Sequence, residues 1–224
     1  MPRFDSEKKN ALEYYNDALQ NQKIDQRVIS ILNIINAHND YYTTSSCSGR
    51  ILLLALAAPG AKNESEIIGK WHDTISSAQV NECILKWKNY KYLYFLAQSP
   101  IFHVVARDLK SALWLRNLGE AAGFKYSSIR SIKPVEHDRA PNKKHDTHNE
   151  KSHELNDYLD AKITVELLGT ERLNMPIGID NKIYVKDEYL NILVDLANSS
   201  ISKAHIKVEQ LDNILRDQLR DRYN

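Results

Sequence analysis

Ile51-Leu52-Leu53-Leu54-Ala55-Leu56 is apolar at every position. A strand without polar alternation has to be covered on both faces, so the fold must close around this run. Pro59-Gly60 ends it. Directly before it stands Tyr41-Tyr42-Thr43-Thr44-Ser45-Ser46-Cys47-Ser48-Gly49-Arg50, which gathers hydroxyls, a thiol, a glycine and an arginine. A polar cluster at the mouth of a buried strand is held rigidly, as a binding site requires. Gly49 lets the backbone turn or approach a ligand closely. Arg50 offers a planar fork of donors suited to carboxylate or phosphate. The same residues also suit a plainer reading: a Ser/Thr-rich strand edge, a turn at Gly49 and a solvated arginine.

The rest of the chain alternates helical and strand-like patterns. Residues 5–20 predict a helix with Ala11, Leu12, Tyr15 and Leu19 on one face. Asp25 caps a second helix, with Val28, Ile31, Leu32 and Ile35 as its buried stripe. Strands are expected at 41–46, 50–58 and 67–75. Ser76 to Gln79 fits a capping box opening a helix to about residue 90. Residues 92–97 and 101–106 predict two strands joined by a turn at Gln98-Ser99-Pro100. Asp108 caps the next helix, and Gly123 ends it in the left-handed conformation. Residues 124–132, 163–167, 172–176 and 182–185 predict further strands. In the last helix Ala197, Ile201, Ala204, Val208, Leu211 and Leu215 recur four and three residues apart, a long stripe made to pack on something. Strand runs come in pairs or threes without a helix between them. That order predicts an α+β fold, a layered sandwich of mixed sheet and helices with a long C-terminal helix. Strands followed by a helix occur in both halves, which is compatible with an internal duplication. The whole length, 1–224, reads as one domain, with residues 134–157 as a mobile polar loop carrying His145 and His148.

Composition excludes several classes. Formal net charge is +1 over 224 residues, so any RNA contact must come from local patches. No apolar run reaches membrane-spanning length, and the charged N-terminus lacks a secretory apolar segment, so a cytoplasmic location is expected. Two cysteines, Cys47 and Cys83, make neither a disulfide framework nor a zinc site. No Gly-x-Gly-x-x-Gly follows a strand, no phosphate-binding Walker loop is present, and no paired-ligand metal spacing occurs. No metal is therefore expected. His103 is the polar exception in an apolar strand; such a residue is either a satisfied core histidine or a site residue. Cys47 with His103 offers a nucleophile and a base, but two residues do not define a triad.

Ser45-Ser46-Cys47-Ser48-Gly49-Arg50-Ile51 resembles the signature of the tRNA wybutosine-synthesising protein 3 family of archaea and eukaryotes. The resemblance continues through Trp71, Phe102-His103-Val104, Gly123-Phe124-Lys125, Glu166, Thr170-Glu171-Arg172-Leu173, Pro176 and Leu196-Ala197-Asn198. It implies an S-adenosyl-L-methionine-dependent methyltransferase. Its substrate would be N4 of a 4-demethylwyosine-type base at position 37 of phenylalanine tRNA, a wyosine precursor. On these residues the resemblance implies His103, Ser46 and Arg50 as catalytic and Ser45, Cys47, Gly49 and Trp71 as cofactor-binding. His103 would accept or orient a proton. Arg50 would pair with the cofactor carboxylate or a tRNA phosphate, and Trp71 would stack on a flat ring. Three positions depart from the family pattern: Ser76 where a histidine is usual, Ser128 where a glycine is usual, and Leu168 near a usual arginine. A non-catalytic RNA-binding or scaffold protein of the same fold is the alternative, distinguished by its lack of need for a methyl donor.

Overall fold

The computed structural model of the chain describes residues 3–59, 63–134 and 161–220, with backbone only for 219 and 220. Tyr92–Gln98 (β4) and Ile101–Ala106 (β5) are separated by two residues, yet they do not form the expected hairpin. They lie in different sheets. The same split separates Tyr41–Cys47 (β1) from Arg50–Leu56 (β2), and Lys162–Leu168 (β7) from Leu173–Ile179 (β8). One sheet has the order β1-β5-β7 followed by β6 (Ser128–Lys133). The other begins with β3 (Ser65–Trp71), runs through β2-β4-β8 and ends with β9 (Lys182–Ile183). Every strand pairing among the described residues is antiparallel. Each sheet draws strands from both halves of the chain, so the two strand-then-helix halves are interleaved in space.

The three crossings lie together. Pro100 has no N–H for a ladder, and its carbonyl instead accepts from Gly169 N–H at 3.0 Å. A Cβ on Gly169 would stand 2.9 Å from the Pro100 ring. Gly49 has φ +104°, and a Cβ there would stand 3.1 Å from the Gln98 carbonyl oxygen. Only glycine permits both the turn and the contact.

Helices cover one face of each sheet, and the start of the first helix also reaches the end of the other face of the β1-β5 sheet. Arg3–Gln20 (α1) and Ile29–Ala37 (α2) flank β1; a 3₁₀ turn, Gln26–Val28, precedes α2 with Asp25 as its cap. Ser77–Ile84 (α3) opens with the expected capping box, and Leu109–Ala121 (α4) with Asp108 accepting from Ser111 N–H at 2.7 Å. Asp187–Arg220 (α5) joins the two layers. Its first half buries Leu193, Ala197 and Ile201 on the β2-β4 core, and its second half buries Val208, Leu211 and Leu215 on the β5-β7 core. Each of the buried Leu, Ile and Val side chains contributes about 1.5–3 kcal/mol of hydrophobic stabilisation. Asn198 adds a paired contact: Ile75 N–H donates to its Oδ1 at 2.9 Å, and its Nδ2 donates to the Ile75 carbonyl at 2.8 Å.

Several elements end elsewhere than expected, β3 at Trp71 and β8 at Ile179 among them, and two have a visible cause. α3 stops at Ile84 because Lys86 and Trp87 N–H groups turn back to Cys83 and Ile84 carbonyls, both at 3.0 Å. That tight closure tucks Trp87 into the β2-β4 core. Phe124 belongs to the turn after α4, its N–H bonded to the Gly119 carbonyl at 2.9 Å, and β6 begins at Ser128. Except for Pro134, the expected loop at 134–157 lies outside the described residues, as do His145 and His148. Among the described residues no helix is long and apolar enough to cross a membrane.

Candidate active site

Period-two alternation turns Phe102 and Val104 into the β5-β7 core, and His103 onto the opposite, open face. Phe4 of α1 packs on Tyr42 and Val105 and covers the far end of that face. His103 stays reachable, its side chain 19% exposed. Its register partners are Ser45 on β1 and Glu166 on β7. Ser45 Oγ lies 2.7 Å from Nδ1, and Glu166 Oε2 lies 2.7 Å from Nε2.

Arg130 Nη1 also donates to Glu166 Oε2. Two register slips aim these side chains. On β1 the slip falls between Thr43 and Ser45; on β6 it falls between Ile129 and Ser131, leaving Arg130 as the unpaired residue. Bulges of this kind re-aim side chains beside functional sites.

The electrostatics fix the direction of the chain. Burial works to raise the Glu166 pKa, but hydrogen bonds from His103 and Arg130 outweigh it and hold the carboxyl below its usual range. Ionised Glu166 can only accept, so Nε2 carries a proton toward it. Nδ1 of the neutral ring is then the acceptor for the Ser45 hydroxyl. The arrangement can take up a proton on the Ser45 side and stabilise the resulting imidazolium through Glu166.

Beside this row a cavity of about 400 Å³ opens at the three crossings. Ile101 and Leu168 line it from the His103 sheet, and Leu96, Leu173 and Asn174 from the other. Arg50 and Arg172 supply its charge, and among the described residues no carboxylate stands in the lining. Arg50 Nε donates to Gln98 Oε1 at 2.7 Å, which orients the fork. Glu171, next to Arg172, is neutralised by an ion pair with Lys207 of α5.

The remaining expected residues are dispersed. Ser45 and Ser46 line a separate cavity of about 250 Å³ between α1 and the edge strand β1. Ser46 registers opposite the core residue Phe102. The structure thus joins His103 with Ser45, and not with Ser46 or Arg50. Strand alternation turns Ser46 to the opposite face of β1 from Ser45, and the crossing at Ser48-Gly49 sends Arg50 into the other sheet. Gly49 itself is buried against Gln98 and α5 and acts on the backbone path. Trp71 pairs with the buried Ile51 and packs on the helix-covered side of its sheet, beside Gly69.

Cys47 enters a clasp. Its Sγ lies 3.7 Å from His72 Nδ1, and Asp25 Oδ2 lies 3.4 Å from the same nitrogen. Among the described residues these three form a group whose metal-capable atoms all lie within 4.8 Å. Their hydrogen bonds close without an ion. His72 Nδ1 lies 2.9 Å from the Gly49 carbonyl, which can only accept, so that nitrogen carries a proton. Asp25 accepts from Ser48 N–H at 2.9 Å and from Arg27 N–H at 3.1 Å. A protonated Nδ1 cannot deprotonate Cys47, and burial pushes the thiol pKa up. The cysteine-nucleophile reading therefore finds no base.

Glu166 and Arg130 carry much of this geometry with no site role assigned from the sequence, where Gln98 and Asp25 were read only as a turn residue and a helix cap. Glu166 left a trace as the polar member of the Ile163-Val165-Leu167 alternation. Arg130 left none, because a bulge is a property of pairing.

The methyltransferase TYW3 family matches residues 6–217, and the chain belongs to that family. A Thermococcus sibiricus relative named tRNA(Phe) 7-((3-amino-3-carboxypropyl)-4-demethylwyosine(37)-N(4))-methyltransferase is 36% identical over 210 residues, covering 94% of this chain and 93% of its own. A Methanocaldococcus jannaschii relative of the same name is 33% identical, covering 90% and 91%. The solved structure of PH1069 from Pyrococcus horikoshii superposes with a TM-score of 0.79 at 34% identity, covering 95% of each chain.

Proposed function

We propose that the chain methylates N4 of a 4-demethylwyosine-type base at position 37 of phenylalanine tRNA, with S-adenosyl-L-methionine as donor. The observation that carries the reading is the Ser45–His103–Glu166 row beside the Arg50 cavity, in a chain of the methyltransferase TYW3 family. When bound, the donor supplies an electrophilic methyl on a sulfonium. The cavity fits such a group: its volume falls within the roughly 300–1,000 Å³ of small-molecule sites. Arg50 suits an amino-acid carboxylate, and Leu96, Ile101, Leu168 and Leu173 suit apolar atoms.

Methyl transfer forms the N4–carbon bond and breaks the sulfonium–carbon bond, and the N4 proton has to leave. His103 takes that proton at Nδ1, directly or through the Ser45 hydroxyl, while Glu166 holds the ring. The remainder of the task is in-line positioning. The substrate sets the compartment as the cytoplasm, where tRNA is handled.

The test is incubation with precursor-bearing tRNA and S-adenosyl-L-methionine, followed by mass spectrometry of the released nucleoside. A gain of one methyl at N4 is expected. Binding of tRNA with neither donor binding nor methyl gain would leave a non-catalytic RNA-binding protein of the same fold.

A further inference from the structure

We propose that Tyr126 and Arg172 form a stacking platform for an unpaired RNA base at the rim of the Arg50 cavity. The inference rests on the methyltransferase reading and specifies where its RNA is held. Tyr126 N–H donates to the Leu168 carbonyl at 3.1 Å, which continues the β6–β7 pairing two residues before Ser128. Leu168 floors the cavity, and Glu166, the partner of His103, is two residues along β7. Two residues along a strand span about 7 Å. The tyrosine therefore stands beside the cavity floor, one row from the proton-accepting histidine.

Tyr126 is 57% exposed, although burying an aromatic ring is normally favourable. Its companion is a cation: the Arg172 guanidinium carbon lies 5.5 Å from the ring centroid. Arg172 is itself exposed and lines the cavity from the crossing after β7. Unpaired RNA bases are recognised by stacking on aromatic rings and on guanidinium planes, and this pair offers both surfaces. Arg130, with its side chain 56% exposed, stands further along the same strand, where it can meet a phosphate. Trp71, the aromatic that the sequence offered for this role, packs on the helix-covered side of the other sheet.

The experiment measures binding of an unmodified phenylalanine tRNA transcript to the full chain across a range of salt concentrations. Tyr126→Ala should weaken binding by roughly tenfold, the usual order for one lost stacking contact. The slope of log affinity against log salt should not change, because no charge is removed. Tyr126→Phe should restore binding. Arg172→Gln should weaken binding as well, because it removes the guanidinium face of the platform. Calorimetry with S-adenosyl-L-methionine should give the same affinity for Tyr126→Ala and the unaltered chain, which also checks the fold. Unaltered tRNA affinity in Tyr126→Ala overturns the platform, as does a Tyr126→Phe variant as weak as the alanine. If the unaltered chain binds and methylates tRNA, such a result sinks the platform alone. If the unaltered chain neither binds the transcript nor methylates precursor-bearing tRNA, the methyltransferase reading falls and the platform with it.

Discussion

Strand β1 presents Ser45 to His103 and, two residues on, Cys47 to His72. Each histidine thus has a chalcogen side chain on one side and a carboxylate nearby, Glu166 for one and Asp25 for the other. The chemistry differs because of the ring nitrogens used. His103 engages Ser45 through Nδ1 and Glu166 through Nε2, so a proton arriving at one nitrogen is compensated at the other. His72 crowds the Gly49 carbonyl, Asp25 and Cys47 around Nδ1 alone. That ring ties the β1–β2 crossing to the end of β3. A histidine beside an acid is a proton carrier only when its two nitrogens face different partners.

The largest expected effect breaks the first of these arrangements. His103→Asn keeps some hydrogen bonding and removes the titratable ring. Methylation should slow by about a hundredfold or more while donor affinity is unchanged. A variant that is less stable but fully active would make His103 a packing residue. Glu166→Gln should have a smaller effect on rate, on the order of tenfold, because the base remains and only its compensation is lost. It also carries a pH signature. The folded-state pKa of Glu166 is depressed, so its ion pairing stabilises the fold above the ordinary carboxylate range and is lost as pH falls through the lowered value. In urea unfolding, the stability gap between the unaltered chain and Glu166→Gln should be full at pH 7 and close on acidification. A gap that persists or widens at low pH would contradict an ionised Glu166.

Much of the fold was legible because its signals are local. The caps at Asp25, Ser76 and Asp108 rest on side chains within three residues of the groups they satisfy. The Ala197–Leu215 stripe needs only helical periodicity, and all six of its residues are buried. Asp180-Asn181 is a turn pair by residue type alone, and both residues have positive φ, 50° and 59°. Sheet membership was not legible, since Ser99-Pro100 reads equally as a hairpin turn and as a crossing. The site suffered from the same limit. His103 stood out in its strand, but its partner lies 63 residues away, and register between distant strands is not a local quantity. Trp71 looked like a stacking residue because its type was visible and the face it occupies was not.

The second arrangement should fail as structure. His72→Ala removes the donor to the Gly49 carbonyl and leaves Asp25 with one partner fewer in a half-buried site. Stability should fall by about 1–3 kcal/mol in chemical denaturation, while the folded fraction keeps its methylation rate. A collapse of rate in fully folded protein would show that the clasp communicates with the chemistry, and the contrast between the two histidines would be lost.

Cys47→Ser should have the smallest effect and sharpens the comparison most. Burial is the main influence on the thiol and raises its pKa, with only partial relief from the Gly49 backbone and Arg50. The thiol therefore stays protonated at neutral pH and is a poor nucleophile. Serine keeps a donor and acceptor at the same position within a slightly smaller volume. The methylation rate should stay within about twofold, and the stability loss should remain under about 1 kcal/mol, the range of a mild substitution in a partly exposed site. Alkylation by iodoacetamide at pH 7 should likewise proceed more slowly than for a free cysteine, and should accelerate only as pH rises past the ordinary thiol range. Rapid alkylation at neutral pH would mean that a thiolate is present, and His72 would then have to be reconsidered as its partner. Serine two residues earlier on the same strand, facing a ring with both nitrogens engaged, should be far less replaceable: Ser45→Ala should lower the rate where Cys47→Ser does not.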